Sequence, residues 1–302
     1  MVMNFRNMEN NIVELENKQE NIDKLKAAHH LYSIVGYISI ASFFLCVIVP
    51  IFISVLRNFV DFQGIVLHVI VGYSLIAVVL GIVFDFYAEK NKILAAKIQQ
   101  LFDCNILELE WKKYICGQRP SLEDINHNTG RLSNVPFVNW YDRAISPLSK
   151  SEATIICFRT NLAYDMDLRT TFVKIIDIVA FIVAISIIMM GFVQNEGIRD
   201  IVVFVIVPII PMIKWFVAIR KQNVADIKKC ISLKERIDDK LEKLSNGDEV
   251  YHKHELNQIQ DGIFEHRKVA FKIPDFIYNY MRERLEGDTH LTVTQIIERY
   301  CQ

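Results

Sequence analysis

Residues 31–56 read LYSIVGYISIASFFLCVIVPIFISVL, and residues 62–84 read FQGIVLHVIVGYSLIAVVLGIVF. Neither segment contains Asp, Glu, Lys or Arg, and each is long enough to cross a bilayer as a helix, which takes about 20 residues. Two further apolar segments, 175–193 and 201–219, follow a long polar interval, and each contains a single ionisable residue. The sequence therefore predicts a polytopic membrane protein with four transmembrane helices arranged as two hairpins.

The polar segments around these hairpins are expected to form a helical cytoplasmic domain, so the predicted fold class is all-α. Apolar residues recur with helical spacing in these segments, and strand-like alternation is rare. The predicted division is an amphipathic helix at 1–30, a first transmembrane hairpin at 31–87, a helical insert at 88–172, a second hairpin at 173–219 and a helical C-terminal region at 220–302.

Helix positions in the C-terminal region follow from apolar periodicity and turn residues. After a turn at 245–248, further helices are expected at 250–270, 275–286 and 291–300. The helix that follows span four is expected to bury one apolar side. That side consists of Val224, Ile227, Ile231, Ile237, Leu241 and Leu244.

The basic residues predict the orientation of the spans. Each link between paired spans contains one basic residue, Arg57 or Arg199, whereas most other lysines and arginines lie beyond the opposite ends of the spans. Because basic residues close to spans remain in the cytoplasm, we expect both termini and the central interval to be cytoplasmic.

Composition and motifs argue against several classes of function. The chain has 34 Lys and Arg against 35 Asp and Glu, so it lacks the basic excess of proteins that bind nucleic acid polymers. It contains no P-loop, glycine-rich nucleotide motif, HExxH motif or nucleophile elbow, so an enzyme is not expected and no catalytic residue is assigned. The cysteines and histidines lack metal-ligand spacing, and no metal or cofactor is predicted.

Two charged residues in the second hairpin are candidates for a gate. Asp177 and Lys214 lie near the cytoplasmic ends of antiparallel spans and are therefore expected at similar depth. Because an isolated charge in a bilayer costs roughly 3 kcal/mol, one interpretation is a pair that holds a closed state or lines an inner vestibule. The alternative is that Lys214 extends to the headgroup layer beside Trp215, where Asp177 already lies.

Pro208 and Pro211 interrupt span four and are candidates for a gating hinge. Each proline removes a backbone donor and tends to bend a helix. Packing is the alternative explanation, because prolines are common in membrane helices. No predicted span has a continuous polar face, so ion passage would require an apolar pore that opens by rearrangement.

The helix expected to lead into span three has a polar stripe. Asn161, Asp165 and Arg169 are four residues apart in succession, so they share one helix face. An Asp165–Arg169 ion pair within the helix is one explanation. The other is an anion site, in which guanidinium groups bind the ligand and the stripe combines with basic residues elsewhere. Those basic residues are Arg159, His266 and Arg267.

Several segments of the chain resemble one bacterial family. They are AAKIQQLFDC at 95–104, NWY at 139–141, CFRTNL at 157–162 with Asp165, and IFEHR at 263–267. Their order, the two-plus-two grouping of apolar segments and the length are similar to those of the SMODS-associated four-transmembrane (S-4TM) pore-forming effectors. The likeness covers nearly the whole chain, and the combination of segments carries it.

The resemblance implies a role in cyclic-oligonucleotide antiphage signalling (CBASS). In such systems a partner synthase makes a nucleotide messenger after infection, and the effector damages the cell's own inner membrane. The resemblance thus implies a cyclic di- or trinucleotide as activating ligand and a location in the bacterial inner membrane, in contact with its lipids. Because Arg159, Asn161 and Asp165 lie in a resembling segment, it also strengthens their assignment as ligand-binding residues.

The expected mechanism is signalling from the cytoplasm to the spans. The outer links are too short to form an extracellular receptor, whereas the spans are expected to continue as cytoplasmic helices. A four-helix protomer with a filled core cannot enclose a channel, so a pore requires a homo-oligomer. The competing function is a non-conducting membrane scaffold that recruits a partner through its helical domain.

Overall fold

The computed structural model describes residues 10–56, 65–129, 137–193, 207–245 and 253–300, and all regular structure in these ranges is helical. The helices are α1 (Ile12–Glu16), α2 (Gln19–Phe43), α3 (Val49–Leu56), α4 (Ile65–Ile106), α5 (Lys113–Cys116), α6 (Leu122–Thr129), α7 (Lys150–Val193), α8 (Val207–Ser245), α9 (Lys253–Val269) and α10 (Asp275–Tyr300). A π-helical turn at Phe44–Ile48 joins α2 to α3, and a 3₁₀ turn covers Arg143–Ile145. The all-α prediction is confirmed.

Three long helices join apolar segments to the polar part of the chain. As expected, α4, α7 and α8 continue without a break from the second, third and fourth apolar segments. These helices run through the predicted boundaries after residues 87, 172 and 219. No break in the helical structure marks those boundaries, and the five-part division remains a prediction. A movement of a polar helix is therefore transmitted directly to the apolar segment that continues it.

Two helix predictions need correction. Residues 10–30 form α1 and the start of α2, which are separated at Asn17 and Lys18, instead of one amphipathic helix. At the other end, α10 is a single helix through Gly287, where two helices were expected. The short outer links with Arg57 and Arg199, and the predicted turn at 246–248, lie outside the described residues.

Apolar surface remains exposed on the predicted spans. Within the described residues, one segment, Gln19–Ile53, has the length and hydropathy of a membrane span. Large apolar side chains are also exposed on one side of each of the helices α4, α7 and α8. These are Leu75, Ile76, Val78, Val79, Ile82 and Val83 on α4, Ile178, Phe181, Ile182, Ile185 and Met189 on α7, and Ile210, Ile213 and Val217 on α8. Apolar surface of this extent marks contact with a membrane or another protein.

Two apolar clusters organise the helices. The larger joins α4, α7, α8 and α9 in the polar part, and its most deeply buried members include Phe102, Phe158, Ile237, Leu241 and Phe264. The second lies where the polar part meets the predicted spans. It contains Phe172, Ile176, Phe216, Ile277 and Met281, so the first half of α10 packs beside those ends of the third and fourth apolar segments that adjoin the polar part.

Helix α8 buries a seam whose spacing alternates between four and three residues as far as Ile237, as in a coiled coil, and then steps by four to Leu241. Its members are Met212, Phe216, Ile219, Asn223, Asp226, Cys230, Leu233, Ile237 and Leu241. The predicted apolar side was therefore wrong in part, since Ile231 is exposed and Val224 is half-buried. Apolar periodicity misplaced the seam because two of its positions hold Asn223 and Asp226.

Replacing Gly287 with alanine is expected to raise the free energy of unfolding by about 0.5–1 kcal/mol, because glycine in a helix interior is less favourable than alanine. A Cβ at Gly287 would meet no described heavy atom within 4 Å. Gly262→Ala is the matched control, because its Cβ would lie 2.8 Å from Leu233 Cδ2 and offset the gain. Thermal unfolding in detergent measures the stability of both variants. Equal stabilisation by Gly287→Ala and Gly262→Ala would contradict the argument that Leu233 crowds position 262.

Candidate functional site

Arg169 of α7 lies at the centre of a buried polar cluster. Its Nε donates to Asp165 Oδ2 at 2.8 Å, and its Nη1 donates to Asp226 Oδ2 at 3.0 Å and to Asn223 Oδ1 at 3.1 Å. Nη1 also donates to the backbone carbonyl of Phe271 at 2.9 Å. The Asp165–Arg169 ion pair expected within the helix is confirmed. The guanidinium also joins α7 to α8 and to the segment that connects α9 with α10.

Asp165 connects this guanidinium with two further side chains. His266 Nε2 lies 2.7 Å from Asp165 Oδ2, and because a carboxylate only accepts, Nε2 carries the donated proton. Cys230 Sγ lies 3.5 Å from the same oxygen. Burial alone would raise the pKa of Asp165, but Arg169 and His266 hold this pKa well below its usual range. Burial and the nearby Asp165 charge both raise the pKa of the Cys230 thiol.

A second buried ion pair joins α9 to α4. Arg267 Nη1 donates to Asp103 Oδ2, and Gln260 Nε2 donates to the same oxygen at 2.9 Å. Gln260 Nε2 also lies 2.6 Å from Gln100 Oε1. Burial tends to lower the pKa of Arg267, but the Asp103 carboxylate raises it overall, so the guanidinium stays charged.

Two other predicted ligand-binding residues, Arg159 and Asn161, make separate contacts. Arg159 Nε donates to Asp238 Oδ1 at 2.5 Å, and Lys234 Nζ donates to the other oxygen of that carboxylate at 2.7 Å. Asn161 Nδ2 donates to the hydroxyl of Tyr141 at 2.9 Å. The structure therefore brings Asp165, Arg169 and His266 together and places Arg159, Asn161 and Arg267 elsewhere in the same helical part.

Each of the three guanidinium groups is neutralised by a carboxylate on another helix. Sequence reasoning did not identify these carboxylates, which are Asp103, Asp226 and Asp238. The burial of Asp226 could have been anticipated from its position on the seam of α8. A polar residue at a buried position needs a buried partner, so a pair with a cation was to be expected. An anionic ligand would therefore compete with a carboxylate at each of these arginines.

The structure also gives a predicted gate residue a different partner. Arg220 Nε donates to Asp177 Oδ1 at 2.8 Å, so Asp177 pairs with Arg220 instead of Lys214. Because α7 and α8 are antiparallel and Arg169 contacts Asp226, Asp177 lies beside the residues about two turns before Asp226. Lys214 lies more than one further turn away along α8.

Pro208 and Pro211 lie within α8, which the structure describes from Val207 onward. The helix continues through both positions to Ser245. Their role as a hinge remains a prediction.

The segment at 269–275, which connects α9 to α10, touches every helix that leads to an apolar segment. Lys92 Nζ of α4 donates to the Val269 carbonyl at 3.1 Å, and Ser33 Oγ of α2 donates to Asp275 Oδ2 at 2.7 Å. Phe271 binds Arg169 of α7 through its carbonyl, and its backbone N–H donates to an α8 carboxylate at 3.0 Å. This connecting segment is thus placed to couple the polar helices to all four apolar segments.

Comparison with known families identifies the family of the chain. A family model described as the SMODS-associating 4TM effector domain matches residues 10–296. The chain belongs to this family of membrane effectors. A curated relative of the 4TM effector, a "Probable CBASS effector molecule" of Bacillus cereus (strain VD146), is 22% identical over 292 residues, which cover 93% of this chain and 96% of the relative. No solved structure matches the chain.

In this 4TM effector, the segments that carried the resemblance meet in space. Segment 95–104 contacts segment 263–267 through Asp103 and Arg267. Segments 139–141 and 157–162 meet through the bond between Tyr141 and Asn161, and Asp165 meets His266. Segments distant in the sequence therefore belong to one contact network in the polar part of the molecule.

A further buried carboxylate, Glu16, fastens α1 to the 137–149 region. Glu16 Oε2 accepts from the backbone N–H of Tyr141 at 3.0 Å, and Oε1 is buried without a hydrogen-bond partner among the described residues. Burial raises the pKa of Glu16 from 4.5 to about 7, although the Tyr141 bond and Arg143 act in the opposite direction.

The raised pKa of Glu16 is expected to make the stability of the chain depend on pH. Because the folded pKa lies above the unfolded one, Glu16 favours the folded state below about pH 4.5, and this contribution is lost as pH rises to about 7. The difference corresponds to roughly 3 kcal/mol. Between pH 5 and pH 8 the native chain should therefore lose more stability than Glu16→Gln in thermal unfolding. Glu14→Gln, at an exposed position of α1, should behave as the native chain, and parallel pH curves for all three would contradict this assignment.

Proposed function

We propose that this 4TM effector is a membrane effector of cyclic-oligonucleotide antiphage signalling that acts without catalysis. Its four apolar segments would cross the bacterial inner membrane as two hairpins, with both termini and the polar helices in the cytoplasm. A cyclic di- or trinucleotide made by a partner synthase would cause a homo-oligomer to form or open a pore. The family, the relative's CBASS description and the exposed apolar faces support this function.

The contacts of the connecting segment carry the proposal. Residues 269–275 bond to α2, α4, α7 and α8, and each of these four helices runs unbroken from polar residues into an apolar segment in the described chain. A displacement of α9 or α10 would move this segment and pull on all four helices together. A signal that reaches the polar part then has a mechanical route to the membrane.

Guanidinium groups are the proposed messenger contacts. Phosphate oxygens bind arginine in the same bidentate manner as carboxylates, so a cyclic oligonucleotide would compete with the present partners. The Arg159–Asp238 pair is the most accessible of the three: 16% of the Arg159 side chain is exposed, against 13% for Arg267 and 6% for Arg169, and its partner Asp238 is 35% exposed, against 3% for Asp103. First contact would therefore occur at Arg159 and Asn161, and separation of Arg169 and His266 from their carboxylates would follow, whereas Arg267 would keep its buried pair with Asp103.

The gate is proposed at the inner end of the second hairpin. Asp177 and Arg220 join α7 to α8 there, and both are about half exposed. Rupture of this pair, together with bending of α8 near Pro208 and Pro211, would let the apolar segments separate. Lys214, which lies more than one turn further along α8, would then face the opened region.

Dye leakage from liposomes tests the function. The purified full chain is inserted into liposomes of bacterial phospholipids, and a panel of cyclic di- and trinucleotides is added, with the linear dinucleotides as controls. At least one cyclic nucleotide is expected to release the dye, whereas its linear form is not. If the protein inserts and binds a nucleotide but no dye is released, the proposal that it forms a pore is wrong.

A non-conducting scaffold is the second candidate function. The observation that favours it is the predominantly apolar character of the exposed span surfaces. A scaffold would bind the messenger and change its protein contacts without releasing dye. Binding without leakage in the liposome experiment would therefore support the scaffold.

A further inference from the structure

We propose that Asp165, Cys230 and His266 form a binding site for a divalent transition-metal ion, with zinc as the best-fitting ion. The three side chains come from α7, α8 and α9, and one ligand atom of each lies within 4.8 Å of the other two. Spacing along the sequence gave no indication of this site, because its residues are far apart in the chain. The site shares Asp165 and His266 with the proposed messenger response, but its test measures metal binding and does not depend on a pore.

The distances suit a tetrahedral ion. Zinc binds nitrogen and oxygen at about 2.0–2.2 Å and sulfur at about 2.3 Å, so two of its ligand atoms are roughly 3.3–3.7 Å apart. Cys230 Sγ lies 3.4 Å from His266 Nε2 and 3.5 Å from Asp165 Oδ2, which are already suitable separations. The nitrogen and oxygen, now hydrogen-bonded at 2.7 Å, would have to separate by about half an ångström, which a small rotation of the carboxylate provides.

The charges also permit an ion at this position. Zinc would replace the thiol proton of Cys230, and the thiolate and the Asp165 carboxylate together would balance its two positive charges. The neighbouring Arg169 does not depend on Asp165 alone, because its Nη1 also contacts Asp226, Asn223 and the Phe271 carbonyl. The guanidinium therefore retains a carboxylate partner when Asp165 turns toward the metal.

The ligand set indicates which ion the site selects and how tightly. Thiolate and imidazole favour zinc over magnesium or calcium, which take oxygen ligands. Since metal binding through Nε2 moves the imidazole proton to Nδ1, and Nδ1 is buried without a partner among the described residues, affinity should be roughly 10- to 100-fold below that of a fully supported site. Asp165 is partly exposed, so a water molecule or a phosphate oxygen has access to the fourth position.

Metal titration of the full chain in detergent tests the site. After treatment with a chelator and its removal, the native chain is expected to bind one zinc ion, measured by elemental analysis after gel filtration. Cobalt added in place of zinc should give a thiolate-to-cobalt charge-transfer band. Cys230→Ser should abolish the band, whereas Cys116→Ser, another buried thiol, should retain it.

Two results would overturn the proposal. One is a folded native chain, shown by a single gel-filtration peak, that binds neither zinc nor cobalt at up to millimolar concentration. The other is metal binding with the same cobalt band in Cys230→Ser as in the native chain. The cobalt spectrum of the native chain needs no substitution, so the test stands even if Cys230→Ser fails to fold.

Discussion

Replacing Arg169 with methionine is expected to lower the melting temperature of the chain in detergent by roughly 10 °C. The substitution removes the guanidinium but leaves Asp226, which is 3% exposed, without its charge partner. Breaking a buried ion pair by removal of one member costs about 3–5 kcal/mol, and each kcal/mol corresponds to about 2–4 °C in a protein of this size class. The Phe271 carbonyl and Asn223 Oδ1 also lose the Arg169 donor, which adds to the cost.

Arg236→Met is the matched control for this prediction. Arg236 lies on α8 and is exposed, so its replacement should change the melting temperature by less than about 2 °C. The melting temperature of Arg169→Lys should lie between those of Arg169→Met and Arg236→Met. Lysine keeps the charge but cannot reach all four acceptors of the guanidinium. If Arg169→Met shifts the melting temperature no more than Arg236→Met, the cluster does not stabilise the α7–α8 pair.

Helix continuity was the part of the fold that the sequence could predict. The run from Ser149 through Arg169 into the third apolar segment has helical periodicity and no proline or glycine, and α7 follows this path. The start of α6 also has a local origin, because Asp124 N–H donates to Ser121 Oγ at 3.1 Å and Ser121 N–H donates to Asp124 Oδ2 at 2.9 Å. These features depend on neighbours within one helix turn.

Partners across helices could not be predicted in the same way. Asp165 and Arg169 are one turn apart, and their pair was anticipated, whereas Asp226 is 57 residues from Arg169. Nothing local to either position fixes the relative register of α7 and α8. The predicted Asp177–Lys214 pair shows the same difficulty, because equal depth in the membrane was inferred from segment ends and the actual register favours Arg220.

The candidate site was therefore predicted as a set of residues but not as an arrangement. The polar stripe identified Asp165 and Arg169 correctly as neighbours, and the resemblance drew attention to His266. The sequence predicted that Arg159, Arg169 and Arg267 were available to bind an anionic ligand. In the folded chain, each of these arginines already pairs with an aspartate. The polar seam of α8 consequently has two compatible roles. It fixes the register of the helix pair, and under the proposed function its ion pairs would be exchanged for contacts with the messenger.

The Arg267–Asp103 pair allows these roles to be separated experimentally. Arg267→Met is expected to cost about 3–5 kcal/mol, because Asp103 is 2% exposed and would keep a buried charge without a cation. Adding Asp103→Asn removes that charge and retains an oxygen that accepts from Gln260. The double variant should therefore recover most of the lost stability, with a melting temperature within a few degrees of the native chain.

Leakage measured on the same variants decides whether Arg267 also contacts the messenger. Since its guanidinium is buried and committed to Asp103, we expect the double variant to recover nucleotide-triggered dye release together with stability. Arg159→Met should instead leave the chain stable, because Asp238 is partly exposed and keeps Lys234, but should reduce the response at least tenfold. A double variant that folds as the native chain but stays silent would contradict this assignment, because Arg267 would then have to contact the messenger itself.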